Sequence, residues 1–159
     1  MIFTVEKGKH YFAPKLFRLF WKRKSIAFSV MFTDSCLYEL PKENYGQWNK
    51  VIGISDLNSH HSQNSVRLGW RGDIDGIELC LYVRKNGAWE AISFGKFQTD
   101  TRYSCKLGFN KYSYYLTIDD TTKYTGRFSR KKWGFNYLLS PYFGGRYSAP
   151  QQIKLFVDV

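Results

Sequence analysis

Ser140-Pro141-Tyr142-Phe143-Gly144-Gly145, then Ala149-Pro150, then the alternating run Gln152-Ile153-Lys154-Leu155-Phe156-Val157, stand last in a chain of 159 residues. An apolar run, a glycine pair that permits a turn closed to other residues, and a period-2 strand are the marks of an antiparallel sheet being closed. Pro141 and Pro150 fit strand edges, where a missing N–H leaves no gap in a ladder. Working back, Ile77, Leu79, Leu81 and Val83 share one strand face, and Glu78, Cys80, Tyr82 and Arg84 share the other. Asn86-Gly87 then supplies the two positive-φ residues of a type I′ hairpin turn. Trp89 to Phe94 is its return strand. Tyr103 to Leu107 and Tyr112 to Ile118 pair about Asn110-Lys111, and the turn Asp119 to Thr122 leads to Lys123 to Phe128.

The first half extends this pattern. Ile2 to Val5, the strictly alternating Ile26, Phe28, Val30 and Phe32, the run Lys50 to Ser55, and Val66, Leu68 and Trp70 all read as strands. Ser35 to Tyr38 is expected to continue the strand that ends at Phe32. Leu16, Phe17, Leu19 and Phe20 have helical spacing, which predicts a short helix near residues 15–21; an edge strand is the alternative. Pro41 to Gln47 reads as loop. Short strands with turns between them, and no helix–strand alternation, give an all-β antiparallel sandwich of the jelly-roll type, one domain over residues 1–159. A chain of this length buries roughly 70% of its unfolded surface, so it needs no covalent staple.

The net charge is +11 and aromatic residues make up 19%. Such an aromatic share excludes a disordered chain. The charge is uneven: Lys7, Lys9, Lys15, Arg18, Lys22, Arg23 and Lys24 meet no acid between them, and Arg127, Arg130, Lys131 and Lys132 form a second cluster. Solubility accounts for such a balance; the functional reading is an anionic partner. No nucleic-acid motif accompanies the clusters, which argues against nucleic acid. Cys36, Cys80 and Cys105 have no zinc spacing and are odd in number, so they read as small buried hydrophobes. No acidic cluster has calcium-loop spacing, so neither a metal nor a cofactor is expected. No run is long and apolar enough for a membrane span, and Met1 to Lys7 has no signal-peptide core. A complete chain would then be cytoplasmic; one that has lost a leader would be extracellular or surface-borne.

Strand order, the hairpin at Asn86-Gly87, the strand Tyr112 to Ile118 and the closing segment Leu139 to Val157 resemble the concanavalin A-like jelly-roll superfamily of lectins, glucanases and polysaccharide lyases. The resemblance implies the fold. The glucanases it points to use carboxylates spaced Glu-x-Asp-x-x-Glu on one strand, whereas Glu78 here stands alone, and Asp73 and Asp75 fall in a turn. The lyases it points to use a basic strand with His and Tyr. Arg67 and Arg71 share one strand face, Tyr82 and Tyr115 are candidate partners, and His60 and His61 lie upstream, but the lyase signatures are absent. Adjacent histidines on an extended segment point apart, which argues against joint chelation.

Binding asks less of a site: aromatic faces for sugar rings and cations for acid groups. The candidate ligand residues are Arg67, Arg71, Tyr82, Arg84, Tyr115, His60, His61 and Trp48, with no catalytic assignment. Three functions follow for comparison. The first is a non-catalytic, lectin-like domain for an acidic glycan. The second is a structural or adhesion subunit, such as a virion or cell-surface component, with a protein partner or an oligomer behind the basic patches. The third is a polysaccharide lyase.

Overall fold

The computed structural model describes residues 1–39 and 46–159. Most of the predicted loop Pro41 to Gln47 lies outside the described residues. The described residues form twelve strands: β1 (Ile2–Val5), β2 (Leu19–Trp21), β3 (Ser25–Phe32), β4 (Asn49–Ser55), β5 (Ser65–Gly72), β6 (Ile77–Lys85), β7 (Ala88–Phe97), β8 (Arg102–Phe109), β9 (Ser113–Ile118), β10 (Thr121–Gly126), β11 (Phe135–Leu139) and β12 (Ile153–Asp158). They make two sheets, β1-β12-β3-β8-β9-β10 and β2-β11-β4-β5-β6-β7, antiparallel throughout. Period-2 alternation explains the layering. Ile26, Phe28, Val30 and Phe32 of β3 and Leu107 of β8 are buried against Val66, Leu68 and Trp70 of β5 and Leu79 and Leu81 of β6. Asn86 (φ 50°) and Gly87 (φ 87°) hold the β6–β7 turn, with Lys85 opposite Ala88. All three cysteines are buried and free.

The helix expected near residues 15–21 is absent. Leu19–Trp21 is instead an edge strand on β11, and the segment before it is pinned by Leu16 N–H to Ser140 Oγ and Leu138 N–H to the Arg18 carbonyl. One helical turn cannot repay its own nucleation, whereas the open ladder of β11 supplies partners at once. The continuation of β3 through Ser35 to Tyr38 is also absent: Asp34–Cys36 is a single 3-10 turn. The basic N-terminal segment lies on the sandwich, with Phe12 buried and a bridge between Tyr11 and Tyr142.

Arg127 does not belong to the surface cluster. It is buried, and its Nε and Nη2 donate to the two carboxylate oxygens of Asp56 at 2.8 and 2.6 Å. Tyr114 Oη and Leu57 N–H donate to the same carboxylate. The connection from β4 to β5, residues 56–64, is therefore anchored at its root by a buried ion pair.

Candidate functional site

On β5, burial of Val66, Leu68 and Trp70 between the sheets turns Ser65, Arg67, Gly69 and Arg71 to the outer face. Register does the rest. Arg67 stands opposite Tyr82 and Ser65 opposite Arg84 on β6, while Trp89 of β7 lies opposite Arg84. Lys50 of β4 shares this face, opposite Gly69. Two segments wall it: Tyr11, Phe12 and Lys15 ahead of β2, and Ser140 to Gly145 after β11. His61 and Ser62 also line it, on the side toward β11. The result is a groove of about 510 Å³. A smaller recess lined by Trp48, Trp89 and Gln47 opens beside it and shares Lys50, Tyr82 and Arg84.

Charge is the distinguishing property of this groove. Lys15, Lys50, Arg67 and Arg84 line it, and no Asp or Glu is among its described lining residues. Arg67 is only 8% exposed. Its Nη2 donates to the carbonyls of Val51 and Ser140, and its Nε is buried with no partner. Burial pushes the Arg67 guanidinium down to about 10, so it stays charged at neutral pH. Burial, then the charges of Arg67 and Arg84, pull the Lys50 ammonium down to about 8. Lys50 donates to the Gly144 carbonyl at 3.0 Å and lies 4.9 Å over the Tyr82 ring and 5.8 Å over Tyr142. Like charges gathered in a partly dry site, without a counter-charge, raise the free energy of the empty groove and favour an anion.

Aromatic faces accompany the charges. Tyr82 and Trp89 stack at 6.0 Å with 9° between their planes. Tyr142 lies between His10 and Tyr11, and Lys15 sits 4.7 Å over Tyr11. Burial raises the proton affinity of the Tyr82 and Tyr142 phenols. His61 is held below the usual imidazole range, first by burial and then by His60, Arg67 and Arg84, so it is neutral at pH 7.

A glycine makes the Arg67 geometry possible. Gly53 faces Arg67 across the β4–β5 pair, and a Cβ there would come within 2.2 Å of the Val66 carbonyl and 2.5 Å of Arg67 Cγ. Gly53→Ala is expected to destabilise the protein by about 1–3 kcal/mol through this overlap and to move Arg67 off the groove floor. A urea melt and a crystal structure of the variant would check both; an unshifted Arg67 would contradict it.

The structure brings Arg67, Tyr82, Arg84 and His61 of the sequence candidates into one groove. It does not bring in the others as expected. Arg71 shares the strand face but is 2.6 Å from Glu78 and 4.2 Å over the Trp48 ring, so its charge is already engaged. Trp48 is buried with Cys80 and Tyr82 and lines the smaller recess rather than the groove. Tyr115 lies on β9 of the other sheet, where it packs on Tyr124. His60 is exposed outside the groove. The two histidines do not point apart: a tight turn, closed by Gln63 N–H to the His60 carbonyl, places their rings 4.2 Å apart. Among the described residues no group of three or more His, Cys, Asp or Glu could hold a metal ion. Sequence reasoning named Lys15 only within the basic N-terminal cluster and passed over Lys50, Tyr11 and Tyr142 as site residues; of these three only Tyr142 carried a signal, as the polar aromatic between Pro141 and Phe143.

No protein-family model and no curated protein matches the chain. Solved structures do. The GH16 protein of the Bacteroides ovatus mixed linkage glucan PUL, in complex with a product, superposes with a TM-score of 0.61 at 11% identity, over 98% of this chain and 77% of that one. The alginate lyase AlyC3 gives 0.61 at 7% identity, over 99% and 72%. The Dario rerio galectin-1-L2 gives 0.53 at 13% identity, over 91% and 99%. The fold is a concanavalin A-like jelly roll. Within this jelly roll the groove lies on the outer face of the β2-β11-β4-β5-β6-β7 sheet, and Glu78 is the one carboxylate that β5, β6 and β7 place there among the described residues. A pair of carboxylates flanking a sugar bond is therefore not assembled on these strands. No helix among the described residues is long and apolar enough to cross a membrane.

Proposed function

We propose that the protein binds an acidic polysaccharide without cleaving it, its carboxylates seated on Arg67, Lys50 and Arg84 and its sugar rings on Tyr142 and Trp89. The observation that carries this reading is Arg67: a buried guanidinium with an unpartnered Nε, at the floor of a groove with no acid among its described lining residues. A carboxylate in the groove supplies the counter-charge that this guanidinium lacks. Among the structural neighbours, one is named for glucan and another for alginate, and alginate is a polyuronate.

Titration calorimetry against polymannuronate, hyaluronan, heparin and a neutral glucan, at low and moderate salt, tests it. Binding to one polyuronate that survives moderate salt is expected, because buried contacts are screened less than exposed ones. Binding to every polyanion that vanishes with salt would move the structural-subunit reading to first place.

The pH dependence is set by Lys50. Its proton is held less tightly in the empty groove than in a free lysine, and an anion beside it restores that proton. Affinity is therefore level between about pH 7 and pH 8 and falls above it, by up to about tenfold per pH unit. Lys50→Arg should bind equally at pH 7 and pH 9. A wild-type affinity that is flat to pH 9 would remove Lys50 from the site.

A second reading, cleavage of the same polysaccharide by β-elimination, is favoured by one observation. His61, neutral and able to accept a proton, lies beside cations that would neutralise a uronate. Growth of ultraviolet absorbance from an unsaturated product would establish it, and loss of that signal in His61→Ala would assign the residue.

A further inference from the structure

The outer face of the same sheet carries a second feature beyond the groove. β2 pairs with β11 so that Trp21 stands opposite Phe135 and Leu19 opposite Tyr137. Asn136 and Leu138 are buried, which leaves Phe135 and Tyr137 on the face that also holds Arg67 and Tyr82. Trp21 is 57% exposed, Phe135 55% and Trp133 65%. Trp21 and Phe135 meet edge to face at 4.8 Å, and Lys22 Nζ lies 5.8 Å over Trp21 and 6.0 Å over Trp133. So large an exposed aromatic patch is not needed to hold the sandwich together, and patches of this kind mark binding surfaces. Exposed flat rings beside a cation suit the C–H face and polar rim of a pyranose.

We infer that the aromatic strip of β2 and β11 is a second arm of the glycan site, which makes the protein a reader of chains rather than of single acidic units. This rests on the groove being a glycan site. Continuity argues for one occupant across both. Tyr137 ends the strip, and its hydroxyl accepts from His61 N–H at 2.9 Å, while His61 lines the groove. From β6 through β5, β4 and β11 to β2 there are four interstrand steps. At about 4.8 Å per step these cover roughly 19 Å across the sheet. Phe135 lies four residues along β11 from Leu139, which is in register with Gly53 and Arg67, and this adds about 13 Å along the strands. The path of about 23 Å is the reach of about five linked pyranose rings. A disaccharide fills the groove alone; a longer chain reaches Trp21.

The test is titration of oligomannuronates and of hyaluronan oligosaccharides of two, four and six residues into the wild type, Trp21→Ala, Phe135→Ala and Arg67→Ala. The wild type is expected to bind a six-residue chain at least tenfold more tightly than a two-residue one. Trp21→Ala and Phe135→Ala should lose that increment and bind the disaccharide as the wild type does. Both side chains are more than half exposed, so thermal melts should be unchanged. Equal affinity at all lengths, or weakening of all lengths alike by Trp21→Ala, overturns the arm while leaving the groove standing, provided Arg67→Ala weakens the disaccharide. No binding at any length overturns the groove reading and the arm with it. A concentration-dependent dimer that Trp21→Ala abolishes would assign the strip to self-association instead.

Discussion

Arg67→Met is expected to weaken polyuronate binding by about 100-fold or more while leaving thermal stability unchanged or slightly raised. The two effects have one cause. In the ligand complex the guanidinium would be half of a buried, hydrogen-bonded charge pair, and truncating one half of such a pair costs about 2–5 kcal/mol. In the free protein the same group is buried without a carboxylate. Its removal forfeits donors to the Val51 and Ser140 carbonyls, at about 1 kcal/mol each, and relieves an uncompensated charge, for which an apolar side chain of similar volume is often neutral or stabilising. Methionine keeps the volume and packs on Gly53. A Tm within about 3 °C of the wild type, or above it, together with lost binding, is the expected result. A protein that melts far lower would make Arg67 a structural residue and leave the groove without its main support.

Asp56→Ala should produce the opposite pattern: a large loss of stability without a direct role at the groove. The Asp56 side chain is fully buried and that of Arg127 nearly so, and the carboxylate accepts from Arg127, Tyr114 and Leu57. Breaking one partner of a buried pair leaves the other charge stranded, at about 3–5 kcal/mol. For a domain of this size that lowers Tm by roughly 10 °C, read by calorimetry at pH 7. The double variant Asp56→Ala/Arg127→Met should recover part of the loss, because it removes the stranded charge as well. Strict additivity of the two single variants would show that the pair is not coupled.

These two arginines illustrate what could be read along the chain and what could not. Arg67 was visible as an outward-facing cation because its neighbours Val66, Leu68 and Trp70 alternate. That it would be buried was not visible, since the residues covering it come from segments far away in sequence, after β11 and before β2. Arg127 looked like one of four surface cations; its partner is 71 residues distant, and no local pattern announces such a pair. The segment around Leu16 to Phe20 carried a helical spacing that the edge of β11 overrode. The histidine pair was misjudged for a similar reason: a backbone turn, not the side chains, sets the angle between adjacent residues.

Period-2 alternation in Ile26 to Phe32, Ile77 to Val83 and Ile153 to Val157, together with the turn chemistry at Asn86-Gly87, was enough for two antiparallel layers. Those signals act between residues close in the chain, so they survive without knowledge of the rest. The groove is of another kind. Lys50, Arg67, Arg84 and Tyr142 share a site because of strand register and because two long connections fold over one sheet face. Burial and charge coupling depend on distances between such segments. They come into being only when the sheets pack, and they then give a lysine and an arginine the properties that mark this groove for an anion.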